Sequence, residues 1–122
     1  MPYIEVLAPP APPERKAALA RSLTDGLTSA FGIEADIVTL YFLPIAAEDY
    51  AHAGTLGPQG AAQRILLKVH AFRRSESERR AAAIALTRGV CIAYGVPGDD
   101  VAVYFLDRDK SEVAHNATLT SD

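Results

Sequence analysis

Apolar residues fall at every fourth position at Leu19, Leu23, Leu27 and Phe31, the spacing that puts them on one face of an α-helix. Upstream, Tyr3 to Ala8 is short and β-leaning, and the prolines between Pro9 and Pro13 end it. Proline is tolerated in the first turn of a helix, so the helix is expected to start near Pro12 or Pro13, with Gly32 as its C-cap. Ile37 to Leu43 reads Ile-Val-Thr-Leu-Tyr-Phe-Leu. Its density of β-branched and aromatic residues predicts a strand, apolar enough to be buried on both faces. The same order follows downstream. Ile65 to Ala71 predicts a strand, Ser75 and Glu78 carry the Ser-x-x-Glu capping box, Arg79 to Tyr94 an Ala-rich helix closed by Gly95, and Val101 to Leu106 a last strand.

That second pass is a repeat. Tyr41-Phe42-Leu43 recurs 63 positions later as Tyr104-Phe105-Leu106. The same offset pairs Leu23-Thr24 with Leu86-Thr87, Ala51-His52 with Ala114-His115 and Thr55-Leu56 with Thr118-Leu119. Gly26, Gly32, Asp36 and Val38 likewise meet Gly89, Gly95, Asp99 and Val101. One domain over 1–122 is expected, made of two units, about 1–59 and 64–122. Strands joined by a crossover helix run parallel and right-handed. The expected fold is therefore α+β: tandem β-α-β units forming a four-stranded sheet with two helices on one face. The uncovered sheet face then calls for self-association. Gly26 and Gly89 fall inside the helices, where glycine costs about 1 kcal/mol relative to alanine, and their recurrence predicts close packing of each helix on the sheet.

Composition narrows the partners. A net charge of −3 gives no basic footprint for nucleic acid. Cys91 is the only cysteine, which excludes an internal disulfide and a cysteine-based metal site. No apolar run reaches the ~20 residues of a membrane span, and the start of the chain has neither a basic n-region nor an apolar h-region. A cytoplasmic location is expected, with no membrane or nucleic-acid partner.

Pro2 is the first candidate for chemistry. Removal of Met1 would leave it a free secondary amine. An α-amine titrates near ~8, and burial or a nearby cation lowers that value, giving a neutral amine that can act as a general base. A second-position proline opening a β-α-β unit, repeated once at this length, resembles the tautomerase superfamily across the whole chain. The resemblance implies a homotrimer and an amino-terminal proline in a pocket near the subunit boundary. Arg73 and Arg74 close the strand from Ile65, where family members place an arginine that binds a substrate carboxylate; Arg74-Ser75 matches the family's Arg-Ser pair. Adjacent residues at a strand end point to opposite faces, so one of the two is expected in the pocket, and Arg74 is favoured.

Tyr104 matches the tyrosine that dehalogenase-like members carry on the last core strand, and Tyr41 is its repeat partner. His115 aligns with the acid that activates water in those members, and Tyr50 matches an aromatic wall residue of the family's hairpin. The expected site is thus Pro2, Arg74 and Tyr104 as catalytic residues, with Arg73, Tyr41, His115 and Tyr50 in substrate binding. His52 and His115 also read as turn or interface residues, and Asp36 and Asp99 as turn residues. The chain departs from the family pattern in places. A second family arginine is replaced by Thr39 and Ala102, Val113 stands where the second unit would carry the aromatic wall, and Leu27 occupies the dehalogenase histidine position. Ile65 stands where a second proline would be, so one amino-terminal site per chain is expected. The expected activity is cofactor-independent tautomerisation or isomerisation of a small carboxylate-bearing enol or 2-oxo acid. Hydration, dehalogenation or decarboxylation on the same scaffold, and a non-enzymatic binding role, are the alternatives.

Overall fold

The computed structural model describes residues 1–122. Strand β1, Tyr3–Ala8, alternates as a half-covered strand should: Ile4, Val6 and Ala8 are buried, while Tyr3, Glu5 and Leu7 face the other way. Helix α1, Pro13–Phe31, starts with proline at its first position and ends at Gly32. The backbone there is left-handed (φ 65°), a conformation glycine adopts without strain, and its N–H bonds back to the Thr28 carbonyl. The four residues of the apolar stripe are the ones α1 buries. Strand β2, Thr39–Pro44, lies parallel to β1.

A tight hairpin, β3 (Ala51–His52) and β4 (Thr55–Leu56), ends the first unit. The second unit is built alike: β5 Ile65–Phe72, α2 Glu76–Tyr94, β6 Val101–Arg108 parallel to β5, then hairpin strands β7 Ala114–His115 and β8 Thr118–Leu119. The capping box at α2 forms in full. The Ser75 side chain accepts from the Glu78 N–H at 3.1 Å, and the Glu78 carboxylate accepts from the Ser75 N–H at 3.0 Å. Helix α2 therefore begins at Glu76, directly after its cap and a turn earlier than Arg79. The strand expected from Ile37 begins at Thr39, because Ala35–Ile37 forms a 3-10 turn; β5 and β6 run on to Phe72 and Arg108.

The sheet order is β2-β1-β5-β6. β1 and β5 meet antiparallel at the centre, with Tyr3 opposite His70 and Glu5 opposite Lys68, so a local two-fold relation links the units. Both helices cover one face, and the core lies between: Leu19, Leu23 and Leu27 from α1, Leu86 and Val90 from α2, against Ile4, Val6, Ile65, Leu67 and Val69. No helix is long and apolar enough to cross a membrane.

One expectation changes. The helical glycines serve packing of helix on helix, rather than helix on sheet. A Cβ at Gly26 would sit 3.0 Å from the Ala85 Cβ, and one at Gly89 would sit 2.9 Å from the Ser22 Oγ. Strands β2 and β6 are edge strands covered only on the helix side. Leu40, Phe42, Val103 and Phe105 pack toward the core, whereas Tyr41 and Tyr104 stand 56% and 64% exposed on the open face.

Candidate functional site

The antiparallel pairing of β1 with β5 builds the site. With Tyr3 opposite His70, the residues before Tyr3 lie beside the end of β5, from which the chain continues into Arg73 and Arg74. Pro2 is buried and its carbonyl accepts from the Thr39 N–H at 3.3 Å; Met1 is half exposed. Burial, and then the positive charge of Arg74, push the amino-terminal amine below its ordinary value, since both favour the neutral form.

The two arginines diverge. Arg73 is exposed and pairs with Asp107 at 3.1 Å; Asp107 also takes Arg79 at 3.6 Å. Arg74 folds back, its guanidinium carbon 4.9 Å from the centre of the Phe31 ring. One terminal nitrogen reaches the Phe72 carbonyl at only 3.5 Å, and its buried Nε has no hydrogen-bond partner. Arg74 forms no salt bridge, and its charge acts on both the amino terminus and the Glu78 carboxyl.

A cleft of about 320 Å³ opens beside Met1, lined among others by Tyr3, His70, Phe72, Arg108 and Val113. Sequence reasoning missed its polar wall. His70 is 7% exposed and sits between two partners: Nε2 is 2.6 Å from the Glu5 carboxylate, and Nδ1 is 3.2 Å from the Arg108 Nη2. A guanidinium only donates. Nδ1 must therefore be the acceptor, and Nε2–H donates to Glu5. Tyr3 stacks on the His70 ring with centroids 4.2 Å apart and planes 6° from parallel. The available signal was the alternation Lys68, His70 within an otherwise apolar strand, which sets both on the open face. Glu5 joins them only once the β1/β5 register is known.

The remaining sequence candidates are dispersed. Tyr41, Glu5, Lys68 and Tyr104 form one row across all four strands of the open face; the Tyr41 ring meets Tyr3 edge-on at 5.8 Å. Neither Tyr41 nor Tyr104 lines the cleft of this chain. His115 is exposed on the second hairpin, next to Ala114, which does line it. Tyr50 stands in another cleft of about 310 Å³, where its hydroxyl accepts from the Arg64 N–H at 3.1 Å. Arg64, Leu66, Leu7 and Ile45 line that cleft, each 63 positions from Met1, Tyr3, His70 and Arg108. It is the two-fold counterpart of the first. No three His, Cys, Asp or Glu side chains converge closely enough to hold a metal ion. The arrangement lowers the proton affinity of an amine in a cationic setting, and can present guanidinium groups to an anion.

No family model matches the chain, and no curated protein matches it in sequence. Solved structures do match. A fused 4-OT designated F6, in an asymmetric trimer, superposes with TM-score 0.89 at 21% identity, covering 98% of this chain and 96% of that one. The fused 4-OT designated Q0, a symmetric trimer, gives TM-score 0.84 at 27% identity over 96% of this chain and 94% of its own. Pt0534, solved after inactivation by 2-oxo-3-pentynoate, gives 0.86 at 21% identity over 96% of this chain and 94% of its own. In its fold, the chain belongs with the double-unit members of the tautomerase superfamily.

Proposed function

We propose that this protein is a cofactor-independent tautomerase acting on a small enol or 2-oxo acid, with Pro2 as its base. The observation that carries the reading is the setting of the amino terminus, where burial and the Arg74 charge both lower the proton affinity of an amine. Loss of Met1 moves that amine one residue inward, onto a residue that is itself buried. The neutral secondary amine takes the enol proton, and the charge spreads over the resulting enolate. The ammonium then returns the same proton to carbon, giving the 2-oxo form. Arg74 stabilises the anion while it exists, an electrostatic contribution that is strongest in a partly desolvated site.

Two features of the chain speak for isomerisation rather than activation of water. Leu27, at the place of a dehalogenase-type histidine, is fully buried in the core. His115, at the place of the water-activating acid, is exposed on its hairpin. The neighbour inactivated by 2-oxo-3-pentynoate supports a site open to 2-oxo acids. Assembly as a homotrimer, with the open sheet faces turned inward, would cover Tyr41 and Tyr104. The test is turnover of a panel of enols of 2-oxo acids by the wild type and by Pro2→Ala with verified amino termini. Alanine leaves a primary amine in place of the secondary one, so turnover should fall by up to the about 10²- to 10⁴-fold that a general base contributes; undiminished turnover in the variant would contradict a role for proline.

A further inference from the structure

The duplicated fold contains its own control. The cleft at Met1 and the cleft at Arg64 occupy the same place in the two units and have nearly the same size, about 320 and 310 Å³. Where the first has Tyr3, His70 and Arg108, the second has Leu66, Leu7 and Ile45. At these three positions the fold accepts apolar side chains equally well, while Asp49, Tyr50, Gln63 and Arg64 supply the polar groups of the second cleft. Taking a carboxylate and an arginine partly out of water around a buried histidine carries a desolvation cost. The first cleft carries that cost at these three positions and the second does not, so the Glu5–His70–Arg108 set is not needed to build the cleft.

The geometry points to Arg108 as a carboxylate-binding, selectivity-determining residue of the amino-terminal cleft, with His70 and Glu5 as its positioning residues. Arg108 is half-buried and pairs with no carboxylate. Nη2 donates to His70 Nδ1 at 3.2 Å and Nη1 to the Asp107 carbonyl at 3.1 Å. Two of five N–H donors are engaged, and three remain for a planar anion. Glu112, the carboxylate that lines the cleft, is occupied by its own turn, where it accepts from the Asp109 N–H at 2.9 Å. Glu5 holds the His70 Nε2–H, which keeps the lone pair of Nδ1 directed at Arg108. The inference rests on the proposed function for the reacting group, but the anion contact stands apart from any turnover.

The experiment is direct titration of the full-length protein with 2-oxopentanoate and with its methyl ester, which keeps the shape and loses the charge. The wild type should prefer the acid. Arg108→Ile should weaken the acid by about 10- to 100-fold, the worth of one or two hydrogen bonds to a charged group, and leave the ester unchanged. Arg108→Lys should recover part of the loss. His70→Leu should weaken the acid several-fold, and His70→Gln, which can still donate to Glu5 and accept from Arg108, should restore it. Arg108→Ile and His70→Leu install the side chains that the counterpart cleft already carries, so the fold is expected to tolerate them. Carboxylate binding through Arg108 in a protein without tautomerase activity would uphold this inference and contradict the proposed function alone. Unchanged acid affinity in Arg108→Ile, or no preference for acid over ester in the wild type, would overturn it.

Discussion

The guanidinium of Arg74 lies over the ring of Phe31, 4.9 Å from its centre. Phe31 is the last residue of α1 and Arg74 directly precedes the cap of α2, so a contact between the two units fixes a cation beside the amino terminus. The pH dependence should report it. The active amine is the neutral one, so kcat/KM should rise with pH and level off above an apparent pKa below the ordinary ~8. Arg74→Ala removes one of the two causes of that lowering and should move the limb upward. Arg74→Lys keeps the charge and should move it less. A pH–rate profile of the three proteins checks this.

Gly26→Ala should destabilise the protein although alanine favours helix by about 1 kcal/mol. The new Cβ would stand 3.0 Å from that of Ala85, which has no rotamer to yield, and overpacking of this kind costs about 1–3 kcal/mol. Gly26→Ala combined with Ala85→Gly should recover most of the loss, because the clash is removed from the other side. Denaturant midpoints of the single and double variants measure the coupling.

Ser75→Ala should cost about 1 kcal/mol through loss of the α2 cap. It should also change the acid limb of stability. The Ser75 backbone N–H, and then its side chain, hold the Glu78 carboxyl below its ordinary value of 4.5, and alanine removes only the second. A depressed carboxyl contributes stability above its unfolded value, and that contribution is lost as pH falls through the folded value. Unfolding curves between pH 3 and 7 should therefore decline less steeply below about 4.5 in the variant.

The second hairpin turns at Asn116 and Ala117, with φ of 49° and 61°, where the first turns at Ala53 and Gly54. The left-handed conformation costs an alanine about 1 kcal/mol and glycine almost nothing. Ala117→Gly should raise stability by up to that amount in a thermal melt, whereas Gly54→Ala should lower it.

What the sequence made legible follows from periodicity and repetition. The stripe from Leu19 to Phe31, the caps at Gly32 and Gly95, and the box at Ser75 and Glu78 are local signals that need no knowledge of the far chain. The 63-residue offset then supplied the architecture. The misplaced start of β2 came from reading Ile37 and Val38 by propensity, when Ile37 ends the 3-10 turn and Val38 caps it. The polar wall of the cleft was hidden for a different reason. Glu5 and His70 are 65 positions apart, and Arg108 lies on a third strand. Only the pairing register brings them together, and no local pattern carries it. Arg73 and Arg74 were separable in principle by the pleat, yet Asp107, the partner that draws Arg73 away, again comes from β6.

The proposed mechanism requires a free, neutral amine on Pro2. Its most direct test is the intact mass of untagged protein before and after treatment with 2-oxo-3-pentynoate. A mass short by one methionine, a single covalent adduct mapping to Pro2, and a weaker adduct in Pro2→Ala, whose primary amine replaces the secondary one, are expected. Retention of Met1, or equal labelling of the variant, would contradict the mechanism.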